Sequence, residues 1–100
     1  MKIRERSSNQ IFEVYGVYWQ GEQTYFCCFP KNAKGISSYA EDEIDIVDES
    51  ISQIFIYLKS SNMINGFFHK ALVENGLLDS LFEHDPQAFD KFVEILGHEP

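Results

Sequence analysis

The hydrophobic pattern along the chain changes its period once. Up to Leu58, apolar positions alternate with polar ones or run together in short stretches bounded by Gly, Pro or polar clusters, which is the spacing of strands. From Phe67 onward they recur at the spacing of helices. Lys2 to Gln10 is polar, with a short strand at Ile3 or a frayed end. Ile11 to Trp19 predicts one strand. It would carry Ile11, Glu13, Tyr15, Val17 and Trp19 on one face and Phe12, Val14, Gly16 and Tyr18 on the other. Both faces are largely apolar, so a central strand is expected, bent or bulged at Gly16. Gln20-Gly21-Glu22-Gln23 predicts a turn, from which Thr24 to Phe29 returns as the second strand of a hairpin until Pro30 stops it.

Lys31 to Gly35 reads as a basic loop, Ile36 to Tyr39 as a short strand, Glu43 to Val47 as another, and Ile54 to Leu58 as a continuous apolar strand. Ser60 to Gly66 is polar punctuation. Phe67, Phe68, Ala71 and Leu72 then fit one helix face, with Asn75-Gly76 as its C-terminal cap. Leu77, Leu78, Leu81 and Phe82 form a second short stripe. Asp85-Pro86 reads as an N-cap and first helical position, followed by Phe89, Phe92, Val93 and Leu96, and Gly97 ends the helix. The expected fold is α+β in a single domain spanning 1–100. An N-terminal antiparallel sheet or small open barrel of four or five strands precedes two or three C-terminal helices, with strands before residue 60 and helices after 65.

Charge changes this picture at one place. In Ala40-Glu41-Asp42-Glu43-Ile44-Asp45-Ile46-Val47-Asp48-Glu49, six of ten residues are carboxylates. The alternation predicts that Ile44 and Ile46 face the core while the acids face outward. Such a strand is either a solvated face or a surface shaped to meet a basic partner. Residues 1–40 hold five cations against three acids, a net +2, whereas residues 41–100 hold thirteen acids against three cations, a net −10. Phosphate would be repelled, so nucleic acid is not expected as a direct ligand.

Cys27 and Cys28 are adjacent, with neither redox nor zinc-ligand spacing. Strand neighbours point to opposite faces, so a bond between them would be strained, and two reduced thiols are expected. Met1 to Gln10 lacks the apolar core of a secretory leader, and no run reaches the roughly 20 apolar residues of a membrane helix. The expected location is cytoplasmic, with no membrane partner.

Catalytic signatures are sparse. His69 and His84 fall on predicted helices without a ligand-type partner one turn away, and His98 lies in the tail. Asp42, Asp45 and Asp48 lack the glycine and terminal glutamate of a calcium loop. A carboxylate pair drawn from Glu41 to Glu49 would need one desolvated member to work in acid–base chemistry. No enzyme activity, cofactor or metal is expected. Tyr18 and Trp19 are read either as cross-strand packing or as interface anchors, and Tyr39, directly before the acidic strand, shares that ambiguity. The acids Glu74, Asp79, Glu83, Asp85, Asp90 and Glu94 are expected on the solvated sides of helices.

Three stretches together resemble the small acidic immunity proteins that accompany bacterial polymorphic and contact-dependent growth inhibition toxins: Phe29-Pro30 through Gly35-Ile36, Ala40 to Glu49, and Phe67-Phe68-His69-Lys70-Ala71-Leu72 through Leu96. The resemblance implies a protein that binds a cytosol-active toxin, often a basic nuclease, and covers its active site. It brings no catalytic residues. Charge and exposure arguments place the partner contacts at Tyr39, Glu41, Asp42, Glu43, Asp45, Asp48 and Glu49. A different function for the same charge is an acidic nucleic-acid mimic that blocks a DNA- or RNA-binding protein.

Overall fold

The computed structural model describes residues 1–31, 33–59 and 65–100. Eight strands come first: β1 (Lys2–Glu5), β2 (Ile11–Glu13), β3 (Gly16–Gln20), β4 (Gln23–Cys28), β5 (Ser37–Ala40), β6 (Ile44–Asp48), β7 (Phe55–Lys59) and β8 (Asn65–His69). Three helices follow: α1 (Lys70–Glu74), α2 (Leu78–Phe82) and α3 (Pro86–Leu96). The class is α+β, as the change of period predicts. The strands form two antiparallel sheets, one of three in the order β2-β1-β6 and one of five in the order β5-β4-β3-β8-β7.

The larger sheet lies between two hydrophobic cores. On one face Tyr18, Cys27 and Phe68 pack with Leu72, Leu81, Ala88 and Phe92 of the helices. On the other, Phe26 and Cys28 pack with Ile3, Phe12 and Ile44 of the smaller sheet. The layers are therefore helices, five strands, three strands.

This layering explains where the pattern misleads. Ile11 to Trp19 is two strands in different sheets, not one central strand. Both of its faces are apolar because the chain passes from one core to the other. Val14 belongs to the smaller core and Tyr15 to the larger. The Val14 N–H donates to the Met1 carbonyl at 3.0 Å and the Tyr15 N–H to the Cys27 carbonyl at 2.9 Å, so the break leaves neither donor unpaired.

Asn65 to His69 pairs with both β3 and β7 as strand β8 instead of beginning a helix. Phe67 and Phe68 cannot share a helix face here. Phe68 is 1% exposed in the larger core, and Phe67 is 42% exposed on the opposite face. Gly66 permits the pairing, since a Cβ there would lie 2.4 Å from the Val17 carbonyl oxygen and 2.6 Å from Tyr18 Cβ. The stretch 60–64, read as polar punctuation, lies outside the described residues, as does position 32 of the basic loop.

The helix signals hold closely. The Asp85 carboxylate accepts from the Gln87 N–H at 2.9 Å with Pro86 at the first helical position, and Gly97 closes α3 at φ 78°. Neither His69 nor His84 is inside a helix. His69 ends β8 and caps α1, its Nδ1 accepting from the Ala71 N–H at 3.0 Å. His84 follows α2 at φ 59°, and its Nε2 lies 3.1 Å from the Ile36 carbonyl oxygen.

Candidate partner-binding surface

The acidic stretch is built from two local structures. Glu41–Glu43 forms a single 3₁₀ turn, and the strand begins only at Ile44. The turn is held by the Glu43 carboxylate, which accepts from the Ala40 N–H at 3.2 Å. Behind it, the Arg6 guanidinium donates to the Asp42 carbonyl at 2.9 Å, and the Arg6 backbone N–H donates to the Glu43 carbonyl at 3.1 Å.

The strand pairs with the most basic stretch of the chain. β6 runs antiparallel to β1, placing Arg4 opposite Asp45 and Lys2 opposite Asp48. Asp45 accepts from Arg4 Nη2 at 2.8 Å and from Arg6 Nη2 at 3.0 Å and Nε at 3.2 Å. Those hydrogen bonds, Arg4's first and then Arg6's, hold the Asp45 carboxyl below its usual range. Asp48 Oδ1 accepts from the Ser50 hydroxyl at 2.6 Å and the Ser50 N–H at 2.9 Å, which lowers its pKa as well. Like-charge repulsion along β6 is thus relieved within the molecule.

The seven residues marked by sequence therefore separate. Asp45 is committed to an internal ion pair and Asp48 to a local turn. Tyr39 is half-buried, with its ring stacked on Phe12 at a centroid distance of 5.6 Å. Burial in the first place, and then nearby Glu5, push its hydroxyl up to about 12. Glu41, Asp42, Glu43, Asp48 and Glu49 are exposed. Among the described residues, the side chains of Glu41, Asp42 and Glu49 make no ion pair.

Ile46 does not reach the core as the alternation predicts. Ile44 is 4% exposed, but Ile46 is 47% and Val47 46% exposed. β6 is an edge strand of the smaller sheet, so Ile46, although opposite the fully buried Ile3, stands at the rim of that core. Its register jumps between the Lys2–Asp48 and Ile3–Ile46 pairs, which leaves Val47 as the extra residue of a bulge. The outcome is an apolar pair with Glu41, Asp42 and Glu43 before it along the chain and Asp48 and Glu49 after it. Sequence reasoning passed over this pair: alternation turns only Val47 outward, and the exposure of Ile46 comes from the register.

Of the other candidates, Tyr18 takes a packing role, whereas Trp19 and the helical acids stay at the surface. Tyr18 is 7% exposed, and its hydroxyl donates to Ser38 Oγ at 2.9 Å. Trp19 is 41% exposed and sits edge-on to Phe67 at 6.1 Å. The acids of the helices are exposed. Asp85 is an N-cap, and Glu74 lies 3.9 Å from Lys70 one turn away.

Among the described residues, no group of three or more His, Cys, Asp or Glu side chains is placed to hold a metal. No helix of the described residues is long and apolar enough to cross a membrane. A hollow of about 390 Å³ is lined by Gln10, Ile11, Phe12, Glu13, Phe29, Lys31 and Pro100, a set without a histidine, cysteine or serine. Compared with protein-family models, with curated proteins and with solved structures, the chain matches none.

Proposed function

We propose that this chain is a binding protein, not an enzyme, and that its 41–49 surface docks on a basic protein. The observation that carries this reading is the exposed Ile46–Val47 pair, flanked along an ordered turn and strand by Glu41, Asp42 and Glu49. An apolar centre inside a charged rim is the usual make-up of a protein interface. Exposed carboxylates on an ordered backbone add long-range attraction for a basic partner without the ordering cost of a loose tail.

The resemblance to small acidic immunity proteins gives the reading its most specific form. The chain would act in the cytoplasm as the inhibitor of a basic toxin, a nuclease, with the carboxylates standing where substrate phosphates would. The nucleic-acid mimic is less favoured, because Arg4 and Arg6 interrupt the negative run at Asp45.

The test is the protein encoded immediately upstream of this chain's gene. Its purified C-terminal domain should bind the chain in calorimetry and lose its toxicity when the two are co-expressed. A domain that binds but stays fully toxic would sink the inhibitor reading. Tight binding unchanged by both Ile46→Asp and Glu41→Lys would sink the surface.

A further inference from the structure

A second surface is unlike the rest of the molecule. β7 forms one edge of the five-stranded sheet, and among the described residues no strand pairs with its outer side. Exposed edges invite pairing with another chain, and proteins usually guard them with charge, proline or a bulge. β7 has none of these within Phe55-Ile56-Tyr57-Leu58; its single charge is Lys59, at its end. Beside it the sheet face that the three-stranded sheet leaves uncovered is aromatic. Tyr57 is 52% exposed, Phe67 42% and Trp19 41%, and Ile54, just before the strand, is 65% exposed. Tyr57 lies opposite Phe67 in register, and Phe67 opposite Val17, so these form one row across three strands. The Tyr57 and Phe67 rings are 5.2 Å apart.

We propose that β7 is a self-association edge: two copies join β7 to β7, antiparallel about a two-fold axis at Tyr57, so that their five-stranded sheets become one continuous sheet. This inference does not depend on the function proposed above, since it uses the opposite edge strand of the other sheet.

Charge leaves this edge as the place where a second copy can approach, and the register below makes it self-complementary. The chain carries −8, so two copies repel each other over most of their surface. No acid occurs from Ser50 to Lys59, nor in the described part of β8. The other edges are worse for self-pairing. Two β6 strands would bring Asp45, Asp48 and their flanking acids together, β5 runs straight into Glu41–Glu43, and β2 is only 3 residues long.

The side-chain register also fits a two-fold. With Tyr57 on the axis, it meets Tyr57 of the second copy, extending the aromatic row. Ile56 then lies opposite Leu58 of the other copy, and Phe55 opposite its Lys59, an apolar pair and a cation beside a ring. No like charges are placed opposite one another. A strand-edge contact is smaller than the roughly 800 Å² per partner of a standard stable complex, so the dimer forms reversibly and with concentration.

Sedimentation velocity across a concentration series up to about 1 mM tests this. The expected result is a species of twice the 11.6 kDa chain mass that grows with concentration. Tyr57→Lys places two ammonium groups at the axis and should abolish that species, with circular dichroism showing that the fold persists. Tyr57→Cys provides a readout that does not depend on that variant folding. Its thiols meet across the axis and should give a disulfide-linked dimer under mild oxidation, whereas Trp19→Cys, on the same face but away from the axis, should not. A chain that stays monomeric throughout overturns the proposal. So does a dimer that persists unchanged in folded Tyr57→Lys, or a Tyr57→Cys protein that cross-links no faster than Trp19→Cys.

Discussion

Cys27 and Cys28 are neighbours in the chain, and their side chains belong to different hydrophobic cores. Cys27 points to the helices and Cys28 to the three-stranded sheet, and each is 0% exposed. The alternation of a central strand places two thiols within one residue of each other and on opposite sides of a sheet. Both are free.

Their chemistry follows from that placement. Burial pushes the Cys27 thiol up to about 12 and raises that of Cys28 as well, so neither forms thiolate near neutrality. A chromogenic disulfide reagent at mildly alkaline pH should find no reactive thiol in the folded chain and two after unfolding, without prior reduction. One thiol reacting at once in the native protein would show that one core is open.

The larger core depends on aromatic packing around α3. Phe92 is 0% exposed, stacked on Phe29 at 5.2 Å and edge-on to Tyr15 at 5.7 Å. Phe92→Ala should cost about 3–5 kcal/mol, a large part of the stability of a small domain. Denaturant unfolding checks this, with the exposed Ile95→Ala as a nearly silent comparison.

Gly66 tests whether β8 is a strand. Because an added Cβ would press into the Val17 carbonyl and Tyr18, Gly66→Ala should destabilise by about 1–3 kcal/mol, the range for overpacking. In a polar loop, or at the start of a helix, the same change would be neutral or stabilising. A midpoint shifted upward in urea would therefore argue against the β3–β8–β7 arrangement.

His69 makes stability depend on acidity. Burial lowers its pKa below the ordinary 6.5, and its Nδ1 accepts a hydrogen bond only while that nitrogen is unprotonated. The unfolded chain takes up the proton more readily than the folded one. The contribution of His69 is thus complete above about pH 6.5 and is lost as pH falls from there through the folded-state value. His69→Asn keeps a capping acceptor and removes the titration, so its urea midpoint should change less between neutral and mildly acidic buffer. Parallel curves for the two proteins would sink the assignment.

Charge reversal separates the acids of the 41–49 surface. Glu41→Lys should leave stability unchanged and weaken binding to a basic partner, increasingly so at low salt, where the screening length exceeds about 10 Å. Asp45→Lys places a cation against Arg4 and Arg6 and should lower the thermal midpoint. From the sequence alone, reversing Glu43 and Asp45 together would leave folding intact or slightly improved, because like-charge repulsion falls; at Asp45 the cross-strand ion pairs reverse that expectation.

Local signals were legible in the sequence. The turn at Gly21, the cap at Asp85-Pro86 and the stop at Gly97 each rest on the chemistry of a few adjacent residues. What involves distant residues was not legible. Asp45 is 41 residues from Arg4, and only the β1–β6 register makes one the counter-ion of the other. Phe67-Phe68 fits a helix face when read alone, and becomes a strand because Gly66 lets β8 approach β3. The candidate site was half legible. The sequence located the carboxylates, but the exposure of Ile46 follows from an edge position and a bulge that only the folded register reveals.

The two-core arrangement has a dynamic consequence. Strands β1, β2 and β6 are joined to the rest mainly through Phe26, Cys28, Tyr39 and Val17, while the helices cover the other face of the larger sheet. The smaller sheet can therefore detach as a unit while the helical core stays closed, and its amides should exchange with solvent at a lower free energy than those of β3, β4 and β8. The 41–49 surface is mounted on the part expected to open first. A partner gripping Ile46 and Val47 would slow exchange throughout β1, β2 and β6, including at amides it never touches, and leave α3 as it was.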